Sequence, residues 1–123
     1  MCANSINVRF IDNQTVNYLT FSLKAMNLIG EVEGRVAIIL DDMIDTAGTL
    51  TEAVRLLRAE NAKTVVACAS HGIFSGKALE RLSAAPIDEI VISDTIPLQE
   101  GFKKLKNLTV LTVAPIVAEA FVA

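Results

Sequence analysis

The 123 residues include two cysteines, three prolines, one histidine and no tryptophan, and these scarcities narrow what the chain can be. Cys2 and Cys68 lie far apart, and neither belongs to a C-x-x-C pair or to a cluster with the histidine, which argues against a disulfide framework and a zinc site. Cys68 stands inside the apolar stretch "TVVACAS", where a small buried thiol is expected, in keeping with a reducing compartment. No apolar run approaches the ~18 residues that a membrane span requires. The start, "MCANSINVRF", lacks the apolar centre of a signal peptide, so the chain reads as cytoplasmic. Basic residues are also short: 11 Lys and Arg stand against 14 Asp and Glu, a formal charge of -3 with no basic stripe. That excludes a non-specific nucleic-acid binder.

Apolar residues, by contrast, are plentiful. They make up 52% of the chain, and the mean hydropathy is +0.47, high for so small a domain. A chain of this length builds one core, so residues 1–123 are read as a single domain. The excess predicts apolar surface hidden against a partner.

The first thirty residues differ from the rest. "INVRFI" and "TVNYLTFSL" are β-prone with turn residues "DNQ" between them, which predicts a hairpin; "AMNLIG" reads as a further short strand, and "EVEGR" as a turn. Residues 31–123 then alternate strand and helix. "RVAIIL" is unbroken in apolar character, as a strand covered on both faces should be. Leu50, Ala53, Val54 and Leu57 follow at helical spacing, opposite Glu52, Arg55 and Arg58. "KTVVACAS" is the next strand, and Ser75 is placed to cap a helix carrying Ala78, Leu79 and Leu82 that stops at Ala85-Pro86. "DEIVIS" and "LTVLTV" supply two more strands, and Pro115 opens a closing helix with Ile116, Val117, Ala120 and Phe121 on its apolar side. The order predicts an α/β domain, a mostly parallel sheet flanked by helices behind an N-terminal hairpin. Ligands of such sheets bind beyond the carboxyl ends of the strands, where Asp41, Ser70 and Asp94 are expected to emerge.

One stretch calls for an explanation. In "VAIILDDMIDTAGTL" five apolar residues run into Asp41 and Asp42, then Asp45, then Thr46, Ala47, Gly48 and Thr49. Like charges stacked at a strand's exit should repel. Backbone N–H groups of a strand-to-helix loop can, however, turn inward as an anion nest, helped by the positive end of the helix dipole. Gly48 admits a ligand close to the backbone, and Thr46 and Thr49 add hydroxyl donors. Asp41 and Asp42 cannot serve a phosphate, but carboxylates accept from sugar hydroxyls and hold the waters of a magnesium ion. A pentose phosphate with Mg2+ nearby satisfies both halves.

"IILDDMIDTAGT" resembles the phosphoribosyl diphosphate binding motif of the type I phosphoribosyltransferase fold. Together with "SHGIFSGKALERL" and "DEIVISDTIPL", the stretch from Met26 onward resembles the C-terminal domain of ribose-phosphate pyrophosphokinases. The resemblance implies diphosphoryl transfer from ATP to ribose 5-phosphate with magnesium. It puts Asp45, Thr46, Ala47, Gly48 and Thr49 around the 5-phosphate and Asp41 and Asp42 at the ribose hydroxyls, holding Mg2+ indirectly. His71, Asp94 and Thr95 are candidates for the edge of the site. Members of that family are longer; their further domain supplies most ATP-binding groups, so ATP is expected here only with a missing domain or partner chain. Their basic Lys-x-Arg loop falls where this chain reads "DNQTVNYLTFS", without a Lys or Arg. No catalytic residue is therefore assigned. A truncated, non-catalytic subunit that binds sugar phosphate is the alternative.

Plainer accounts compete. A solvated turn with Thr49 capping the helix would need one residue, not this whole loop. "DDMID" fits the D-D-x-x-D pattern of isoprenoid synthases, but those acids line helices. "GIFSGKA" misses a Walker A loop by one residue between its glycines and has Ala78 where Ser or Thr must touch magnesium. A receiver-like signalling domain would need a Lys-Pro pair after its last strand, and none occurs. Lys103, Lys104 and Lys106 read as a solvated basic turn.

Overall fold

The computed structural model describes residues 5–11, 16–22 and 32–122. Two strands, β1 (Ser5–Ile11) and β2 (Val16–Ser22), pair antiparallel in the expected hairpin, from Ser5 opposite Ser22 to Ile11 opposite Val16. The "DNQ" turn and the strand expected over "AMNLIG" lie outside the described residues. From Gly34, whose φ of 72° fits the "EVEGR" turn, the chain enters β3 (Val36–Ile44), α1 (Gly48–Ala59), β4 (Thr64–Gly72), α2 (Ala78–Ala84), β5 (Glu89–Ser93), a 3-10 turn (Glu100–Lys104), β6 (Leu108–Leu111) and α3 (Ala114–Val122). The strands form one sheet in the order β2-β1-β3-β4-β5-β6. β3 to β6 run parallel, and β1 joins them antiparallel through β3. The chain is the α/β domain with a mostly parallel sheet that its sequence predicts.

Its core lies on one face. Ala37 and Ile39 of β3, Val65, Ala67 and Ala69 of β4, and Ile90 and Ile92 of β5 are buried at alternate positions. The register sets Ile39 beside Ala67 and Ala67 beside Ile90 in one row. Against this face pack Leu50, Ala53, Val54 and Leu57 of α1, the stripe that the helical period predicts, and Ala78 and Leu82 of α2. Steady progress from β3 to β6 through right-handed crossovers sends the connecting helices to the same side. The other face carries Ile38, Leu40, Val66, Cys68 and Val91, all half-buried. Among the described residues "RVAIIL" is thus covered fully on one face, not on both as expected, because both connecting helices, α1 and α2, pack on that face.

Two further expectations change. α3 forms where Pro115 indicated, but none of its residues is buried: Ile116 is 70% exposed and Phe121 86%. Its apolar side is real in sequence and meets no neighbouring element among the described residues. The acids also do not follow the strand. β3 continues through Asp41 and Asp42 to Ile44, because β4 keeps pairing with it as far as Gly72.

The amino ends of the strands are tied by Arg58. Its guanidinium donates to Asp88 and to the carbonyl of Pro86, and Asp88 also accepts from the Val65 N–H at 2.7 Å.

Truncating Leu57 to Ala, at a fully buried position, should destabilise the fold by about 2–5 kcal/mol in urea denaturation. Phe121→Ser should change monomer stability by no more than about 0.5 kcal/mol, since its ring already faces solvent.

Candidate functional site

The carboxyl ends of β3 and β4 hand over to helices side by side. The Ile44 carbonyl accepts both the Ile73 N–H at 3.0 Å and the Phe74 N–H at 3.1 Å, which joins the two loops at their start. Phe74 sits at φ 55° and stacks on Phe102 with ring centroids 4.4 Å apart. A bulky residue at positive φ persists only where its surroundings hold it.

Beyond Ile44, Asp45 and Thr46 are exposed, and Ala47 turns to φ 64° with its methyl buried. Ala47 is the residue preceding α1 and has no side-chain oxygen, so no side chain caps the helix. Helix geometry leaves the amides of Gly48, Thr49 and Leu50 without intrahelical partners. The Thr51 N–H is the first to be used, donating to the Ala47 carbonyl at 3.0 Å. Left-handed backbone costs an alanine roughly 1–2 kcal/mol, and behind it the amides at the positive end of the helix are left without intrahelical partners. Thr49 is exposed in the first turn and is not the cap.

Two side chains not assigned to this loop from sequence brace it. Ser75, expected to cap α2, instead donates its hydroxyl to Asp45, and α2 has no side-chain cap. Arg81 of α2 donates from Nη1 to the Thr46 carbonyl at 2.9 Å. A Cβ placed on Gly48 would lie 3.3 Å from that same Nη1. The open side of Gly48 is therefore taken, at least in part, by a guanidinium. Arg81 and Thr46 stand 35 positions apart, beyond any local pattern. The one available signal was a glycine at a first helical position, where alanine is intrinsically better.

Asp41 and Asp42 lie upstream in β3, and both are exposed. The Asp42 N–H donates to Asp41 Oδ1 at 2.8 Å. Burial, reinforced by hydrogen bonding and repulsion from Asp42, holds the Asp41 carboxyl above its ordinary range. Asp42 is held low, chiefly by the hydrogen bond with the Asp41 side chain. The adjacent charges are thus eased partly by unequal proton affinity. Among the described residues, no group of three or more acidic, His or Cys side chains is placed to hold a metal. Two exposed carboxylates still fit a magnesium ion that keeps most of its waters, since that ion takes oxygen ligands and gives up its waters reluctantly.

Asp41 and Ser70 line a shallow depression of about 290 Å3 on the open face, with Leu40, Cys68, Ser93 and Leu111. Ser70 lies within β4, not after it. Cys68 is half-buried, and desolvation, with Glu89 nearby, pushes its thiol up, which leaves it unreactive. His71 and Thr95 do meet, with Nδ1 and Oγ1 2.7 Å apart. Asp94 is engaged elsewhere: its carboxylate accepts the Val113 N–H at 2.9 Å, the largest cause of its lowered pKa, and so ties the approach to α3. The structure therefore groups His71 with Thr95 and separates both from the role of Asp94.

A family profile described as "Phosphoribosyl synthetase-associated domain" matches residues 9–122. The chain is 53% identical over 97 residues to a ribose-phosphate pyrophosphokinase of Caldanaerobacter subterraneus, covering 79% of this chain and 30% of that protein. A ribose-phosphate pyrophosphokinase of Aquifex aeolicus is 48% identical over the same length and shares. The crystal structure of phosphoribosylpyrophosphate synthetase from Mycobacterium smegmatis superposes with a TM-score of 0.73 at 35% identity, over 93% of this chain and 35% of that one. The chain thus spans about a third of the length of these proteins.

For the acidic pair, the raised group contributes stability at low pH that is lost as pH climbs through its midpoint. The lowered group contributes stability above 3.8 that is lost as pH falls through its own midpoint. Carboxyl NMR titration should show two macroscopic steps spread about 3.8. In Asp42→Asn the Asp41 midpoint should fall yet stay above its ordinary value, because burial, the larger cause, remains.

Proposed function

The chain belongs to the phosphoribosyl synthetase-associated domain family, and from that premise we propose that it carries the sugar-phosphate half of a ribose-phosphate pyrophosphokinase. Ribose 5-phosphate or phosphoribosyl diphosphate binds along Asp41, Asp42 and the loop Asp45 to Thr49. The 5-phosphate takes the amides of Ala47, Gly48, Thr49 and Leu50 and the hydroxyls of Thr46 and Thr49; the ribose hydroxyls donate to Asp41 and Asp42. The observation that carries this reading is the uncapped start of α1 behind Ala47, where among the described residues no side chain caps the first amides of the helix. Asp45 contributes through its bond with Ser75, which steadies the loop.

In diphosphoryl transfer to ribose 5-phosphate, the anomeric oxygen forms a bond to the β-phosphorus of ATP and gives up its proton, the bond from that phosphorus to the bridging oxygen breaks, and AMP leaves with the bridging oxygen. Magnesium, when bound, neutralises charge on the transferring phosphates. The chain's own part is orientation: an anchored 5-phosphate and hydroxyls held by the carboxylates fix the attacking oxygen, which is most of what such a transfer asks of a protein. ATP needs groups from a further domain or chain. The stretch "DNQTVNYLTFS" carries no Lys or Arg, which favours binding without transfer by this chain alone, as in a regulatory or structural subunit of a homo-oligomer.

Calorimetric titration of the chain with ribose 5-phosphate in magnesium should give one site per chain. Gly48→Val should weaken it at least about tenfold, as branched carbons crowd the amides and displace Arg81. Mixing chain, ATP, magnesium and ribose 5-phosphate should release no AMP. AMP release would make the chain a complete enzyme, and absence of ribose 5-phosphate binding would remove the proposal.

A further inference from the structure

Arg81 stands outside the loop that the sequence motif defines, yet it touches that loop at its turning point. Nη1 donates to the Thr46 carbonyl at 2.9 Å and lies 3.3 Å from where a Gly48 Cβ would stand. A trans peptide directs its N–H opposite to its C=O. A guanidinium that holds the Thr46 oxygen therefore directs the Ala47 N–H away from itself. Ala47 is also the strained residue, at φ 64°. A peptide next to a left-handed alanine has a competing orientation, with the plane turned over and the carbonyl where the amide was, and something must hold it against that turn. We propose that Arg81 is a positioning residue, which locks the Thr46–Ala47 peptide with its N–H presented to the sugar phosphate.

The rest of the neighbourhood is consistent with a brace and not with a ligand contact. Ser75 fixes Asp45 on one side of the bend, and Gly76, at φ 59°, brings the backbone so close that a Cβ there would lie 3.7 Å from the Thr46 methyl. The segment from Ile73 to Arg81 thus holds the segment from Ile44 to Gly48 at three points: the Ile44 carbonyl, the Asp45 carboxylate and the Thr46 carbonyl. The first two would keep the loop in place without Arg81. Only the third sets the rotation of the 46–47 peptide. Arg81 is half-buried, so losing it should leave the core intact.

The proposal rests on the sugar-phosphate reading of the loop, and its test keeps the two apart. Arg81→Met and Arg81→Lys would be compared with the unchanged chain in two measurements. One is the residual dipolar coupling of the Ala47 N–H bond in ligand-free protein; the other is ribose 5-phosphate affinity by calorimetry. Thermal melts would confirm folding, and Arg81→Lys carries both measurements should Arg81→Met not fold. In Arg81→Met the Ala47 coupling should change and affinity should fall about tenfold or more, the scale of a lost hydrogen bond from a charged donor. Arg81→Lys, with one donor in reach, should recover part of both. An unchanged Ala47 coupling overturns the proposal, even if affinity falls, since Arg81 would then act by charge or by touching the ligand. An altered coupling with full affinity overturns it as well. Failure of the unchanged chain to bind ribose 5-phosphate would instead remove the functional reading, while the ligand-free coupling would still decide whether Arg81 sets this peptide.

Discussion

The junction depends on a single carbonyl. By accepting two successive amides from the loop after β4, the oxygen of Ile44 forces both chains to leave the sheet together. Without that shared exit, α1 and α2 would start independently, and the bend at Ala47 would lack the wall formed by Phe74, Ser75 and Gly76. The two strained residues, Ala47 and Phe74, stand on either side of this junction. Each is tolerable because its own side chain is buried: the Ala47 methyl lies in the core, and the Phe74 ring is stacked on Phe102. Packing energy of the core thus supports a backbone shape that local preference would reject.

What could be read from the sequence was whatever depends on near neighbours in the chain. The stripe Leu50, Ala53, Val54, Leu57 recurs every three or four positions, and the helix it predicts is the helix that forms. The stop at Ala85-Pro86 is likewise local, and α2 ends one residue earlier. The extension of β3 through two aspartates was hidden, because hydropathy falls at Asp41 while backbone pairing ignores side-chain polarity. The strand goes on for as long as β4 offers partners. Ser75 shows the same limit from another side: its spacing suited a cap, but its hydroxyl donates to a carboxylate 30 positions away and caps no amide of α2.

The motif itself was legible as residue types and misread in one detail. Glycine suggested open space beside the backbone, whereas Gly48 makes room for a guanidinium from another helix. Left-handed geometry, usually a glycine's task, falls on Ala47 instead. His71 and Thr95, two of the three residues expected at the edge of the site, hydrogen-bond to each other, while the third, Asp94, accepts the Val113 N–H. The apolar side of α3 was visible in the sequence, but periodicity says only that a face is greasy, not what covers it.

The strand order has one more consequence. β3, β4, β5 and β6 lie side by side in the sheet in the order in which they are made, and β1 and β2 are likewise adjacent in the chain. Of the strand pairings, only that of β1 with β3 skips an intervening strand. Each remaining closure spans one helix or one turn, so its entropic cost is small and does not await a distant segment. The parallel strands β3 to β6 can therefore add to one another in chain order, at the slow pace that parallel pairing imposes.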